Sequence, residues 1–201
     1  MPTGLEATGS GRRFTRMQPI RSVSPSNLRS FFQRLVFPGF AELGIADRAV
    51  VDYVVDLLAR FAQTDQLYRI RNARGARIET IAEMLMELGR QRQPERRWSF
   101  DREVDIHRHV GDYALFSSGL FRVWVERQDL GDYYLEQGRD AYRAAADMAQ
   151  LSFAPESRLF RALGEQFEHL AGALDYVRKV YMRPEFHPGS YGALLRDMEP
   201  G

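Results

Sequence analysis

Residues 155–183 read PESRLFRALGEQFEHLAGALDYVRKVYMR, and within them Phe160, Leu163, Phe167, Leu170, Leu174, Val177 and Tyr181 follow one another at spacings of 3, 4, 3, 4, 3 and 4. An α-helix turns once every ~3.6 residues, so this alternation places all seven side chains on one seam, the side that packs against another helix at a shallow angle. The spacing predicts one continuous bundle helix, opened by Pro155, whose missing N–H costs nothing in a first turn. Counted from Phe160 as heptad position a, Glu165 falls at f and His169 at c, so both are expected to face away from the seam.

Outward from that helix the same periodicity recurs. Ser24-Pro25 supplies a capping oxygen and an N-terminal proline, and Leu28, Phe31, Phe32, Leu35 and Val36 follow at helical spacing until Pro38-Gly39, where a break or kink is predicted. Asp47 caps a second helix with a wide apolar face of Val50, Val54, Leu57, Leu58 and Phe61, broadened by Val51 and Val55. Thr64–Arg77 ends in a loop, a third helix covers Ile78–Gln91, and a fourth covers Phe100–Phe116. Ser117–Val125 reads as a turn or short helix. A fifth helix, Asp132–Leu151, carries Gly138, Ala141, Ala144, Ala145, Ala146 and Ala149, small residues that let a neighbour approach closely. The expected fold is all-α: a single-domain bundle of five to six helices over residues 24–183, after a disordered basic arm (1–23) and before an irregular tail (184–201) with one amphipathic turn near Leu194.

Composition narrows the function. The chain has 201 residues, no cysteine, 44% hydrophobic and 27% charged residues and a net charge of +1. Thiol nucleophiles, Cys-ligated zinc and disulfide scaffolds are excluded. No apolar run reaches the ~18 residues of a membrane span, and the arginine-containing N-terminus lacks the apolar stretch of a secretory signal, so a cytoplasmic location is expected. Lys179 is the single lysine, a bias typical of GC-rich bacterial genomes.

Chemistry-bearing residues are few. Glu103 and His107, like Glu165 and His169, stand four apart, so each pair shares a helix face, and two such faces could meet around a divalent metal. Carboxylate-bundle metal sites, however, use Glu-x-x-His with two further inward glutamates, which have no counterpart here, and no cofactor is expected. His107 lies beside the apolar stripe of Phe100, Val104 and Ala114, which suits a buried histidine oriented by Glu103, or else a ligand or general base. Ser117-Ser118-Gly119 lacks the strand-to-helix elbow of a serine nucleophile, and phosphate-binding glycine loops are absent.

The segments GDYALFSSGLF (Gly111–Phe121) and DYYLEQGRDAY (Asp132–Tyr142) resemble a bacterial family of helical proteins. In that family a Gly-Asp-aromatic-x-Leu-Phe-x-x-Gly-x-Phe tract precedes a Tyr-Tyr-x-x-x-Gly-x-x-Ala-Tyr helix. The resemblance covers the middle of the chain and brings no activity or catalytic residue with it. In physical terms, Asp112, Tyr133, Tyr134 and Tyr142 have polar tips that need partners when buried. They suit a buried Tyr–Asp–His network or a pocket lined by the same groups.

Arginine is unevenly spread. Residues 69–97 contain Arg69, Arg71, Arg74, Arg77, Arg90, Arg92, Arg96 and Arg97 against four acids. They form a basic patch able to meet phosphate or an acidic protein, or a solvated face paired with Glu79, Glu83 and Glu87. No aromatic platform accompanies it, so nucleic acid is not an expected partner. The first expectation is an interaction or scaffold module that self-associates or binds a protein partner, since regular helix faces abound and catalytic signatures are scarce. The alternative is a metal- or small-ligand-binding helical protein, with or without catalysis, built on Glu103, His107 and the nearby tyrosines.

Overall fold

A computed structural model describes residues 24–63, 80–91 and 100–197, and every regular element among them is a helix. In chain order these are α1 (Pro25–Glu42), α2 (Arg48–Phe61), α3 (Ile81–Gln91), α4 (Phe100–Leu120), α5 (Arg122–Arg127), α6 (Gly131–Leu151), α7 (Ser157–Glu165), α8 (Phe167–Val180) and α9 (Ser190–Asp197). A short 3-10 turn, Pro184–Phe186, precedes α9. The described residues are therefore all-helical, with more helices than the five or six expected. The predicted basic arm, residues 1–23, lies outside the described residues.

α1 and α2 form an antiparallel hairpin. Ser24 Oγ accepts from the Asn27 N–H at 3.4 Å, and Asp47 Oδ1 accepts from the Ala49 and Val50 N–H groups at 2.9 and 3.3 Å, so both helices start on the side-chain oxygens their sequences offer. The predicted break at Pro38-Gly39 does not occur: α1 runs through both residues to Glu42. A proline inside a helix forfeits one backbone bond and costs ~3 kcal/mol, but burial holds this one together. Phe40 is wholly buried, and a Cβ on Gly39 would come within 2.6 Å of Val177 on α8, so the glycine is where the two helices touch. Arg29 ties the hairpin across, with Nε on Asp56 Oδ1 at 2.5 Å and Nη2 on Asp52 Oδ1 at 3.5 Å.

α4 is the central rod. From His109 to Leu120 every residue is buried, a sign that helices cover it on all sides. α6 lies closest, because a Cβ on Gly138 would stand 2.7 Å from Ala114 and would overlap the ring of Phe167, while Ala141, Ala145 and Ala149 continue the close approach. α2, α3 and α8 cover other faces of α4. The fourth helix also runs four residues past its predicted end, and α5 follows after Phe121. Gly119 accounts for the extension: a Cβ there would be 2.6 Å from Leu174, and close packing outweighs the ~1 kcal/mol by which glycine disfavours a helix.

The helix predicted over 155–181 is two helices, α7 and α8, joined at Gln166 (φ −101°, ψ 12°), and it begins at Ser157 rather than Pro155. The seam residues Phe160, Leu163, Phe167, Leu170, Leu174 and Val177 are all buried, but they serve different neighbours: α7 lies along α6, while α8 crosses to α4 and α1. The tail is also more regular than expected. α9 buries Leu194 and Leu195, and Tyr191 stacks on Phe31 of α1 with ring centroids 4.4 Å apart.

Candidate functional site

Gly111 and Asp112 sit where α4 passes under α6. A Cβ on Gly111 would be 2.7 Å from the Tyr142 ring, so the absent side chain makes room for that ring and lets its hydroxyl reach the next residue. Tyr142 Oη donates to Asp112 Oδ1 at 2.8 Å, and Tyr53 Oη of α2 donates to the same oxygen at 2.6 Å. Arg60, two turns beyond Tyr53 on α2, donates from Nη2 to Asp112 Oδ2 at 3.1 Å. The carboxylate is wholly buried, and its desolvation is offset by three charge-assisted bonds, one of them from a cation. Phe160 closes the ring cluster, stacked on Tyr142 and edge-on to Tyr53.

The electrostatics follow from burial. Both phenols are pushed well above the usual tyrosine range, first because burial penalises phenolate and then because Asp112 repels it. Burial works against the Arg60 charge, but Asp112 and Tyr53 more than restore it, and the guanidinium ends above its ordinary value. Both phenols therefore keep their protons near neutrality, and both Asp112 oxygens already accept hydrogen bonds. The cluster holds Arg60 in place.

In front of Arg60 lies a cleft of about 530 Å³, lined by Arg29, Tyr53, Asp56, Arg60, Gln63 and Arg108. Arg29 is engaged by Asp52 and Asp56. Arg60 uses Nη2 on Asp112 and Nε on the Asp56 carbonyl at 3.3 Å, and its guanidinium carbon lies 5.7 Å from the centroid of the Tyr53 ring. Arg108 reaches Asp105 only loosely, at 3.6 Å from Nη2, and its buried Nε has no hydrogen-bond partner.

The residues singled out from the sequence fall into separate places. Asp112 and Tyr142 meet. Tyr134 is eight residues from Tyr142, ~12 Å along α6, and packs near Tyr113, while Tyr133 is half-buried beside it. Glu103 and His107 face each other at 3.9 Å, N-terminal of Asp112 on α4. Glu165 and His169 are exposed, and among the described residues no group of three or more His, Asp or Glu side chains is placed to hold a metal ion. Ser118 donates to its own helix, Oγ to the Ala114 carbonyl at 2.7 Å. Of the basic patch, Arg90 is exposed and pairs with Glu87 at 3.7 Å, while Arg69, Arg71, Arg74, Arg77, Arg92, Arg96 and Arg97 lie outside the described residues.

Tyr53, Arg60 and Arg108 were not singled out from the sequence. The available signal was the i,i+7 relation of Tyr53 and Arg60 on an otherwise buried Val/Leu helix, but nothing local aims that pair at Asp112. Among the described residues no helix is long and apolar enough to cross a membrane. Comparison with known proteins leaves the geometry to speak for itself: no family model matches the chain, and no curated protein or solved structure is significantly similar to it.

Proposed function

We propose that this protein is a small-ligand-binding helical domain whose ligand occupies the cleft before Arg60. The observation that carries this reading is the buried Asp112, which with two tyrosines fixes a guanidinium at the wall of the cleft. A few convergent polar groups on a rigid frame, in a cleft within the ~300–1,000 Å³ usual for small-molecule sites, suit binding better than catalysis. Backbone amide NMR during titration with pooled metabolites tests it. The expected result is shifts confined to residues 53–63 and 105–112, lost in Arg60→Gln. Shifts that avoid these residues, or none at all, count against it.

A second reading, self-association, has its own support. Phe153 adopts φ 54° and is 95% exposed, with Leu151 beside it at 77%, so the α6–α7 turn holds an aromatic in a strained conformation in open solvent. Sedimentation over a wide concentration range with the parent and Phe153→Ser tests this. A monomer throughout removes the reading, and so does an oligomer that the substitution leaves intact.

A further inference from the structure

Building on the cleft as a ligand site, we infer that what it recognises is an organic oxyanion: a carboxylate or phosphate group on an apolar body, with the oxyanion held between Arg60 and Arg108.

The balance of the lining decides the charge: three arginines face one carboxylate, Asp56. Arg29 holds Asp52 and Asp56, and Arg60 holds Asp112 and the Asp56 carbonyl, whereas Arg108 reaches its acid, Asp105, only at 3.6 Å and has an Nε with no hydrogen-bond partner. A guanidinium matches the in-plane oxygens of a carboxylate or phosphate. Asp112 does not fill this role, because it sits behind Arg60 and is enclosed by the two phenols. Asp105 remains 3.6 Å from Arg108 Nη2 and leaves Nε unsatisfied. Both arginines line the cleft together with Tyr53.

The volume decides the rest of the ligand. An inorganic anion would fill only a small part of about 530 Å³. The remaining wall is Tyr53, Ala59 and Gln63, which offer apolar contact, together with Asp56, whose carboxylate is held by Arg29. Benzoate and phenyl phosphate carry the shared chemistry in its two forms, and their relative affinity tells carboxylate from phosphate.

The test is calorimetric titration at low salt with benzoate, phenyl phosphate, inorganic phosphate and neutral benzyl alcohol. At least one of the two aromatic anions is expected to saturate a single site, with inorganic phosphate weaker than phenyl phosphate and benzyl alcohol showing no binding. Arg60→Gln and Arg108→Gln are each expected to weaken the anion by about tenfold or more, the loss of one charge-assisted pair. Arg161→Gln, which removes an exposed arginine paired with Asp147 far along the chain, should leave affinity within about twofold. Arg60→Gln strands the buried Asp112 without its cation and is expected to lower stability, so circular dichroism must show each variant folded at the titration temperature, and Arg108→Gln, which leaves that network intact, carries the test if Arg60→Gln unfolds. Benzyl alcohol binding as tightly as benzoate would overturn the oxyanion assignment, as would anion affinity indifferent to both substitutions or failure of both aromatic anions to bind. If pooled metabolites still shift the cleft amides in any of these cases, the ligand site survives and only its charge preference is lost. If they do not, both conclusions fall together.

Discussion

Gly111→Ala is the sharpest probe of how α4 and α6 build the site. The added methyl would lie 2.7, 2.8 and 2.9 Å from three carbons of the Tyr142 ring, which is fully buried and also packs against Phe160 and Phe167. Overpacking of this kind costs ~1–3 kcal/mol. Moving the ring weakens its bond to the Asp112 carboxylate, with ~1.5–3 kcal/mol at stake for a hydrogen bond to a charged group. Replacing glycine by alanine within a helix returns ~1 kcal/mol. The sum is a loss of about 1.5–5 kcal/mol, centred near 3, equivalent to a fall in Tm of about 6–12 °C for a chain of this size. Urea unfolding of four proteins, the parent, Gly111→Ala, Tyr142→Phe and the double variant, separates the two contributions. In the Phe background the hydroxyl is already gone, so the alanine should cost measurably less than it does alone. A variant as stable as the parent, or an equal cost in both backgrounds, would refute the idea that the glycine exists to seat this tyrosine.

Asp112→Ala should destabilise by about 3–5 kcal/mol, because Arg60 and two buried phenols then lose their common acceptor; urea midpoints measure it. On alkaline titration followed at 295 nm, Tyr53 and Tyr142 should ionise only as the fold is lost. Their folded pKa lies above the unfolded value, so their contribution to stability is complete below ~10 and disappears as pH rises through the folded pKa. At the other extreme, Tyr176 and Tyr181 both donate to Glu42 at 2.5 Å and hold its carboxyl below the usual range, while the same bond pushes Tyr181 up to about 12. That contribution is present above the unfolded carboxyl pKa of ~4.3 and lost as pH falls through the lowered folded value, so Glu42→Gln should flatten the acid limb of a Tm–pH curve. Phe153→Gly should raise stability by about 1 kcal/mol by relieving a left-handed residue that contributes almost no burial.

The helices were legible because their signals are local. Capping oxygens at Ser24 and Asp47, the 3–4 alternation after Phe160 and the small residues of α6 all act within one or two turns. The joint at Gln166 was not legible, since the apolar alternation passes through it unbroken and only the change of neighbour from α6 to α4 bends the chain. Pro38 misled for the reverse reason: its local cost is real, and contacts with a helix far along the chain exceed it. The site divides in the same way. Gly111, Asp112 and Tyr142 stood out as polar or small groups on apolar rods, whereas Tyr53 and Arg60 reach Asp112 across 59 and 52 residues of sequence, a relation no local pattern encodes.

The touch between Gly39 and Val177, reinforced by Glu42 on Tyr176 and Tyr181 across 134 and 139 residues, has a kinetic consequence. A helical chain usually folds fast because its contacts are short-range, but here the first hairpin cannot complete its apolar face until the last long helix leaves the ribosome. Phe40 and its neighbours on α1 therefore stay uncovered until α8 has been made. Apolar side chains left open for that interval are where a nascent chain is most exposed to wrong association.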